Sequence, residues 1–363
     1  LQASSFALNI DFHHAVTYLV ARVAGFDDPQ ARIVAHSAQY VDDATDEGVV
    51  LFDNGAMYRR LATAHRALDY KNFAALGHRL VWIPFHFLPG NAGLEADQDP
   101  SGKFIHKLVT RPNSPVAKAV VAETIRERHK PFGLHRLGIV AHVFVDTWSH
   151  QGFAGVNHRV NVVRDVRRAG LPDERFKQKM WRFFHGMVHQ SMPPIGHGAA
   201  LSYPDRPYLN WSYVNGLEDL VVRENPVEFT EAAHELCRVF RRYLAGDPEA
   251  EVDGLPSDLR QMLHDRFVAY EEPDERVRHR KWLDDLANDA FGIGKVDLDY
   301  VAKGPGSWRA RALQYPDPDT KERRYPYDEA FLDSDWKRFH DAAKAHRRCV
   351  VDDILPSFGI CVA

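Results

Sequence analysis

The sequence predicts an all-α protein, a multi-helix bundle around one central metal-binding helix. Three observations lead there. Apolar residues recur mainly with the 3.6-residue period of a helix, and no convincing series of alternating strands interrupts them. Helix start and stop signals recur along the chain. One segment, Leu134–His150, is apolar on most sides, as a helix in the middle of a bundle must be, yet it carries His142, Asp146 and His150.

Taken in order, His13–Gly25 reads as a helix stopped by its glycine. Pro29–Asp42 is the next, with Asp28 as N-cap and proline in the first turn. Asn54–Leu68 is expected to be a third. Two prolines and two glycines make Leu80–Gly93, "LVWIPFHFLPGNAG", an ordered loop. Helices follow at Pro115–His129, Leu134–His150 and Pro172–Gln190, then a loop over Pro193–Trp211. Pro226–Leu244 is capped by Asn225 and stopped at Gly246; further helices are expected at Ser257–Glu271, Asp274–Phe291 and Ser334–Ile354. Residues 302–327 are irregular and charged. The reading divides the chain into a helical metal-binding core, 1–216, and a helical C-terminal extension packed on it, 217–363.

The 363 residues, 45% hydrophobic and 26% charged, suit a globular protein with a large core. A net charge of −4 gives no electrostatic reason to expect duplex nucleic acid as a partner. No run is long enough for a transmembrane segment and no basic-then-apolar leader is present, so a cytoplasmic location is expected, or a secreted one if a signal has been removed. The three cysteines, Cys237, Cys349 and Cys361, are too few and scattered for a thiolate zinc site. The informative number is 20 histidines, because their placement picks out donors for a cation.

Residues four apart on a helix differ by only ~40° in direction, so His142, Asp146 and His150 are expected to share one face. A carboxylate buried between imidazoles is costly unless paired, and a divalent cation pairs it well. Mixed imidazole and carboxylate donors suit zinc, iron or manganese. Further candidates are His13 or His14, and Asp42 or Asp43 in the acidic end of "AQYVDDATDEG", where a cation would offset an unfavourable helix dipole. His86 in "PFHFLPG", His185 and His189 at i, i+4 spacing, and His197 in "GHG" complete the set. Asp205 in "YPDRPY" is read as a turn cap, a substrate contact or a support to the ligands. Trp82, Trp148 and Phe153 are read as core, or as an apolar wall for a substrate. His129, His279, His340 and His346, in charged surroundings, are read as solvated.

The segments "LGIVAHVFVDTWSHQGF", "AQYVDD" and "PFHFLPG" resemble the zinc-dependent phospholipase C superfamily, which includes related single-strand nucleases, and the "PFHFLPG" loop also resembles that of an uncharacterised bacterial branch. The resemblance covers about the first 200 residues. It implies an all-helical fold and a metal set of His13 or His14, Asp42, His86, His142, Asp146 and His150. The spacing from Asp146 to the next histidine is shorter than the family's, and His185 and His189 stand in for its later His–Glu pair. It implies two zinc ions, with a third allowed. The expected activity is hydrolysis of a phosphoric ester, a phospholipid headgroup or a nucleotide diester, by a metal-bound hydroxide, with Asp42 or Asp146 bridging metals and accepting the proton. The alternatives are a non-haem di-iron oxidase or oxygenase, disfavoured by the lack of E-x-x-H pairs, and a non-catalytic protein with structural metal.

Overall fold

The computed structural model describes residues 10–65, 75–168, 171–175, 177, 195–314 and 324–362. A π-helix, Asp11–Val16, runs directly into α1 (Thr17–Ala24), which ends at Gly25 with φ 118°. α2 spans Asp28–Asp43. Its cap is Asp27 rather than Asp28: the Asp27 carboxylate accepts from the Gln30 backbone N–H at 2.8 Å and the Gln30 side chain returns to the Asp27 backbone. After α3 (Ala75–Phe85) and α4 (Ile105–Leu108), Ser114 caps α5 (Pro115–Arg126). α6 (Gly133–Ser149) is the central helix, with every residue but Leu134 buried.

The all-α expectation is overturned. The chain is helix-rich but mixed, with two antiparallel sheets among the described residues. β1 (Gly48–Leu51) and β2 (Met57–Arg60) form a hairpin where the third helix was expected. The dipeptide Asn54-Gly55 is a hairpin signal, because glycine tolerates the positive φ (here 88°) that the tight turn needs. The Asn54 side chain accepts from the Ala56 N–H and closes the turn. The second sheet has the order β4-β3-β5-β6, from β3 (Val163–Arg168), a two-residue β4 (Leu171–Pro172), β5 (Asn210–Asn215) and β6 (Leu220–Glu224). β5 alternates, burying Trp211, Tyr213 and Asn215. The alternation of β3 is broken by a register shift between Arg164 and Arg167, with Asp165 at φ 51°, so its period is hard to see in sequence. Most of the expected helix Pro172–Gln190 lies outside the described residues. The expected loop at 80–93 begins as the last turns of α3, which tolerates Pro84 near its end.

The C-terminal helices pack back on this frame. α7 (Asn225–Ala245) ends at Gly246 in the left-handed region; α8 (Ser257–Ala269), α9 (Glu275–Ala287), the short α10 (Trp308–Leu313) and α11 (Asp335–Arg348) follow. α11 continues into a π-helix, Cys349–Ile354, and a final short α12 (Leu355–Ser357). One apolar core runs through residues from both ends of the chain, Val16, Val140, Phe240 and Phe339 among them. A smaller cluster, including Trp82, Phe87, Phe153, Trp211 and Tyr213, joins the second sheet to the end of α6. Three histidines expected at the surface are buried instead. His346 Nε2 donates to the Pro84 carbonyl at 2.7 Å, His340 Nδ1 accepts from the Leu61 N–H at 3.3 Å, and His279 pairs with His14. The helical period turns these histidines in, away from charged neighbours such as Arg280 and Arg348, which stay exposed. No helix of the described residues is long and apolar enough to cross a membrane.

The pair α2 and α6 sets the position of everything that follows. They touch at Gly138, where an added Cβ would lie 2.4 Å from the Val34 carbonyl oxygen and 2.5 Å from Ser37 Cβ. Gly138→Ala would gain about 1 kcal/mol in helix propensity. The clash is with backbone, so overpacking of about 1–3 kcal/mol is expected to outweigh it. The check is urea denaturation, with a lower midpoint at unchanged slope.

Candidate metal centre

His142 lies one turn beyond Gly138 on α6, and its Nδ1–H donates to the Ala38 carbonyl of α2 at 2.9 Å. Ala38 is one turn before Asp42, so the bond that orients the imidazole also registers Asp42 beside it. His86, just past the end of α3, donates from Nε2 to the Thr63 carbonyl at 2.9 Å. His150, the C-cap residue of α6, donates from Nδ1 to the His86 carbonyl at 2.7 Å. His197 donates from Nδ1 to the Leu201 carbonyl at 2.8 Å. A carbonyl can only accept, so in the neutral form of each ring the proton sits on that nitrogen and the other keeps a lone pair.

Those second nitrogens converge on one another and on carboxylates. His142 Nε2 is 3.2 Å from His86 Nδ1, 3.1 Å from Asp146 Oδ2 and 3.9 Å from Asp42 Oδ1. His86 Nδ1 is 3.5 Å from Asp146 Oδ2 and 3.9 Å from Asp42 Oδ1. His13, delivered by the N-terminal π-helix, places Nε2 3.3 Å from Asp146 Oδ1 and stacks on His142 with ring centroids 3.9 Å apart. On the far side, His150 Nε2 lies 3.5 Å from Asp205 Oδ1 and His197 Nε2 3.7 Å from Asp205 Oδ2. Among the described residues, three groups able to hold a cation result: His13, His142 and Asp146; Asp42, His86 and His142; and His150, His197 and Asp205. All eight residues are less than 5% exposed.

Protonation of the His142 ring does not relieve this crowding of acceptors. Burial, with His13 adding to it, drives its pKa down to about 3, so at neutral pH the ring is neutral. Burial likewise lowers His86 and His197. Burial also lifts Asp42 well above the usual carboxylate range, reinforced by the charge on Asp146. Asp146 goes the other way: burial opposes its charge, but His150 and His142 outweigh that and hold it well below. His150 is the exception among the rings; burial pulls it down, yet Asp146 and Asp205 keep it above the ordinary imidazole value. A cation shared among these donors fits their chemistry, since borderline metals take imidazole and carboxylate together. Each carbonyl-anchored ring is also oriented as ligand histidines usually are.

Of the sequence candidates, the fold brings together His13, Asp42, His86, His142, Asp146, His150 and His197. It does not bring in His14, whose Nδ1 is 3.0 Å from His279 Nε2, or Asp43, which accepts from the Tyr300 hydroxyl at 2.6 Å. His185 and His189 lie outside the described residues. The column expected on α6 keeps one side: His142 Nε2 and His150 Nδ1 lie 3.1 and 3.5 Å from Asp146 Oδ2, and past the helix end at Ser149 the other nitrogen of His150 reaches a separate group. Asp205, read as a turn cap, a substrate contact or a support to the ligands, sits between two imidazoles as a candidate ligand itself; its sequence signal is proximity to His197 in one loop. Arg223 of β6 was not singled out at all. It donates to the Trp148 and Ser149 carbonyls at 2.9 and 3.2 Å, stabilising the end of α6 as cations at helix C-termini do.

A family of unknown function, DUF6765, matches residues 8–354, and the chain belongs to that family. No curated protein and no solved structure matches the chain.

Asp205→Asn keeps the shape of the third group and removes its charge. It is expected to lower the metal content of purified protein by one ion per chain, read by elemental analysis, and to leave the ions near Asp146 in place. The raised His150 implies a pH order. A protonated donor ligates poorly, so lowering pH from about 8 to about 5 should release metal first from the His150 group and last from the group of His13, His142 and Asp146, whose carboxylate is held ionised. Metal retained per chain after equilibration at each pH, compared with Asp205→Asn, checks this.

Proposed function

We propose that this member of the DUF6765 family is a metal-dependent hydrolase of phosphoric esters. The observation that carries the reading is the position of Asp146. Its Oδ1 faces His13 and its Oδ2 faces His142 and His86, so one carboxylate can serve two adjacent cation positions. The order of donors along the chain, His13, Asp42, His86, His142, Asp146, His150 and then a later pair, also follows the resemblance to the zinc-dependent phospholipase C superfamily. Here that later pair would be His197 and Asp205.

The ions would be zinc, two in the neighbouring groups around His142 and Asp146 and a third in the His150 group. Divalent cations held there supply Lewis acidity, drawing charge from the phosphoryl oxygens and making water more acidic. With cations bound and Asp42 ionised, Asp42, Asp146 and Asp205 would bring three buried negative charges, which two divalent ions would more than balance, so a phosphodiester anion would be attracted. Asp42 is suited to take the proton of the attacking water. Its Oδ1 faces His86 and His142, while its buried Oδ2 has no hydrogen-bond partner. Asp42 and Asp146 are pushed in opposite directions, the arrangement that separates a proton carrier from a permanent anion. The Trp148 and Phe12 rings, with Ser149, line a cavity of about 10 Å³ against His13 and Asp146, room for about one water. A larger ester therefore needs the structure to open before turnover.

That burial also favours a second reading, a closed structural metal core without turnover. The two separate on one variant. Under the hydrolase reading, His142→Ala keeps its helical circular dichroism and loses activdity on a chromogenic phosphodiester by about 100-fold or more. Under the structural reading it unfolds. Chelation followed by zinc should restore hydrolysis in the native chain, and full hydrolysis by metal-free protein would end the proposal. Iron with a visible absorption band in the protein as purified would instead favour oxidation.

A further inference from the structure

We infer that Arg278 and His279, at the other end of the chain, are positioning residues for His13. This rests on the reading that His13 holds a metal. Four of the five histidines in the three groups are anchored to a backbone carbonyl. His13 is not: its Nδ1 is buried and has no hydrogen-bond partner. Something other than its own ring must hold it on Asp146.

The π-helix that carries it is gripped on both sides of residue 13. Arg278 Nε donates to Asp11 Oδ2 at 2.8 Å and its Nη2 to Asp11 Oδ1 at 3.4 Å. This pair is 2% and 1% exposed. The remaining arm of the guanidinium donates from Nη1 to the Glu272 carbonyl at 2.6 Å, which ties the clamp to the start of α9. Next to it, His279 Nε2 lies 3.0 Å from His14 Nδ1. A bidentate arginine fixes both direction and distance, which a single hydrogen bond does not. Consecutive residues of α9 thus hold residues 11 and 14 of the π-helix, and His13 between them is presented to α6. An ordinary α-helical turn would carry His13 at a different angle, and such π segments are frequent at functional sites. A buried ion pair is a poor source of net stability. Its cost is understandable if the position of a ligand depends on it.

The test uses the full chain, stripped by chelator and titrated with zinc against a competing indicator. Arg278→Met removes the clamp. Asp11→Asn combined with Arg278→Met removes it without leaving a buried carboxylate uncompensated, and so guards against misfolding. His13→Ala reports loss of the ligand itself. Both clamp variants are expected to keep native circular dichroism and to lose about 10- to 100-fold in affinity for one zinc ion, the ion that His13→Ala also weakens. The other ions should bind as in the native chain. In the His13→Ala background, Arg278→Met should cause no further loss. With cobalt in place of zinc, the two single variants should change the absorption spectrum in the same way. Native affinity for every ion in a folded clamp variant overturns the inference, as does an equal loss with and without His13. No zinc binding by the native chain sinks clamp and metal centre together. Zinc binding without phosphodiesterase activity removes only the proposed reaction.

Discussion

A ring nitrogen that has committed its proton to a backbone carbonyl has only a lone pair to offer elsewhere. In this protein four buried imidazoles are committed in that way, by Ala38, Thr63, His86 and Leu201. Their remaining nitrogens meet carboxylate oxygens or one another at 3.1–3.9 Å. Acceptors at that distance in a buried site repel, and the repulsion is weakened little by solvent. The rest of the molecule can be understood as what holds this arrangement together. A cation turns the repulsion into coordination, so ion binding and folding are expected to be coupled.

Holding the arrangement takes both ends of the chain. Gly138 lets α2 and α6 approach until Asp42 and His142 share a group. His346 fixes the carbonyl of Pro84, two residues before His86. Arg223 closes the end of α6 from the second sheet, beside His150. The aromatic cluster of Phe87, Phe153 and Tyr213 packs against the same end, and Phe87 stacks on His150 with centroids 4.5 Å apart. The supports are hydrogen bonds and packing from elements far apart in sequence, and burying them excludes water from the donors. Low local dielectric then separates the proton affinities of Asp42 and Asp146, two carboxylates of the same type.

The helices at either side of the site were legible because they obey local rules. α2, α5, α6 and α7 begin and end close to the positions given by their caps, prolines and glycines. The strands were not. β1 and β2 are four residues each, too short for a period to stand out, and the Asn54-Gly55 turn was read as the start of a helix. β3 carries a bulge that shifts its alternation. The inward histidines of the C-terminal half, His279, His340 and His346, were missed because charged neighbours dominate any local reading, although a helix separates its faces within one turn.

For the site itself, residue type and helical spacing were enough to single out His142 and Asp146, and short motifs added Asp42, His86 and His197. These choices need only one segment at a time. Sequence could not choose between His13 and His14, or between Asp42 and Asp43, because adjacent residues differ by a rotation that only the partner helix decides. α9 takes His14, Tyr300 takes Asp43, and α6 receives their neighbours. It could not join Asp205 to His150 either, since a loop has no period to predict from. Local periodicity fixes which face a residue lies on; which side chains meet across space is set by packing between elements hundreds of residues apart, and only the tertiary structure contains that.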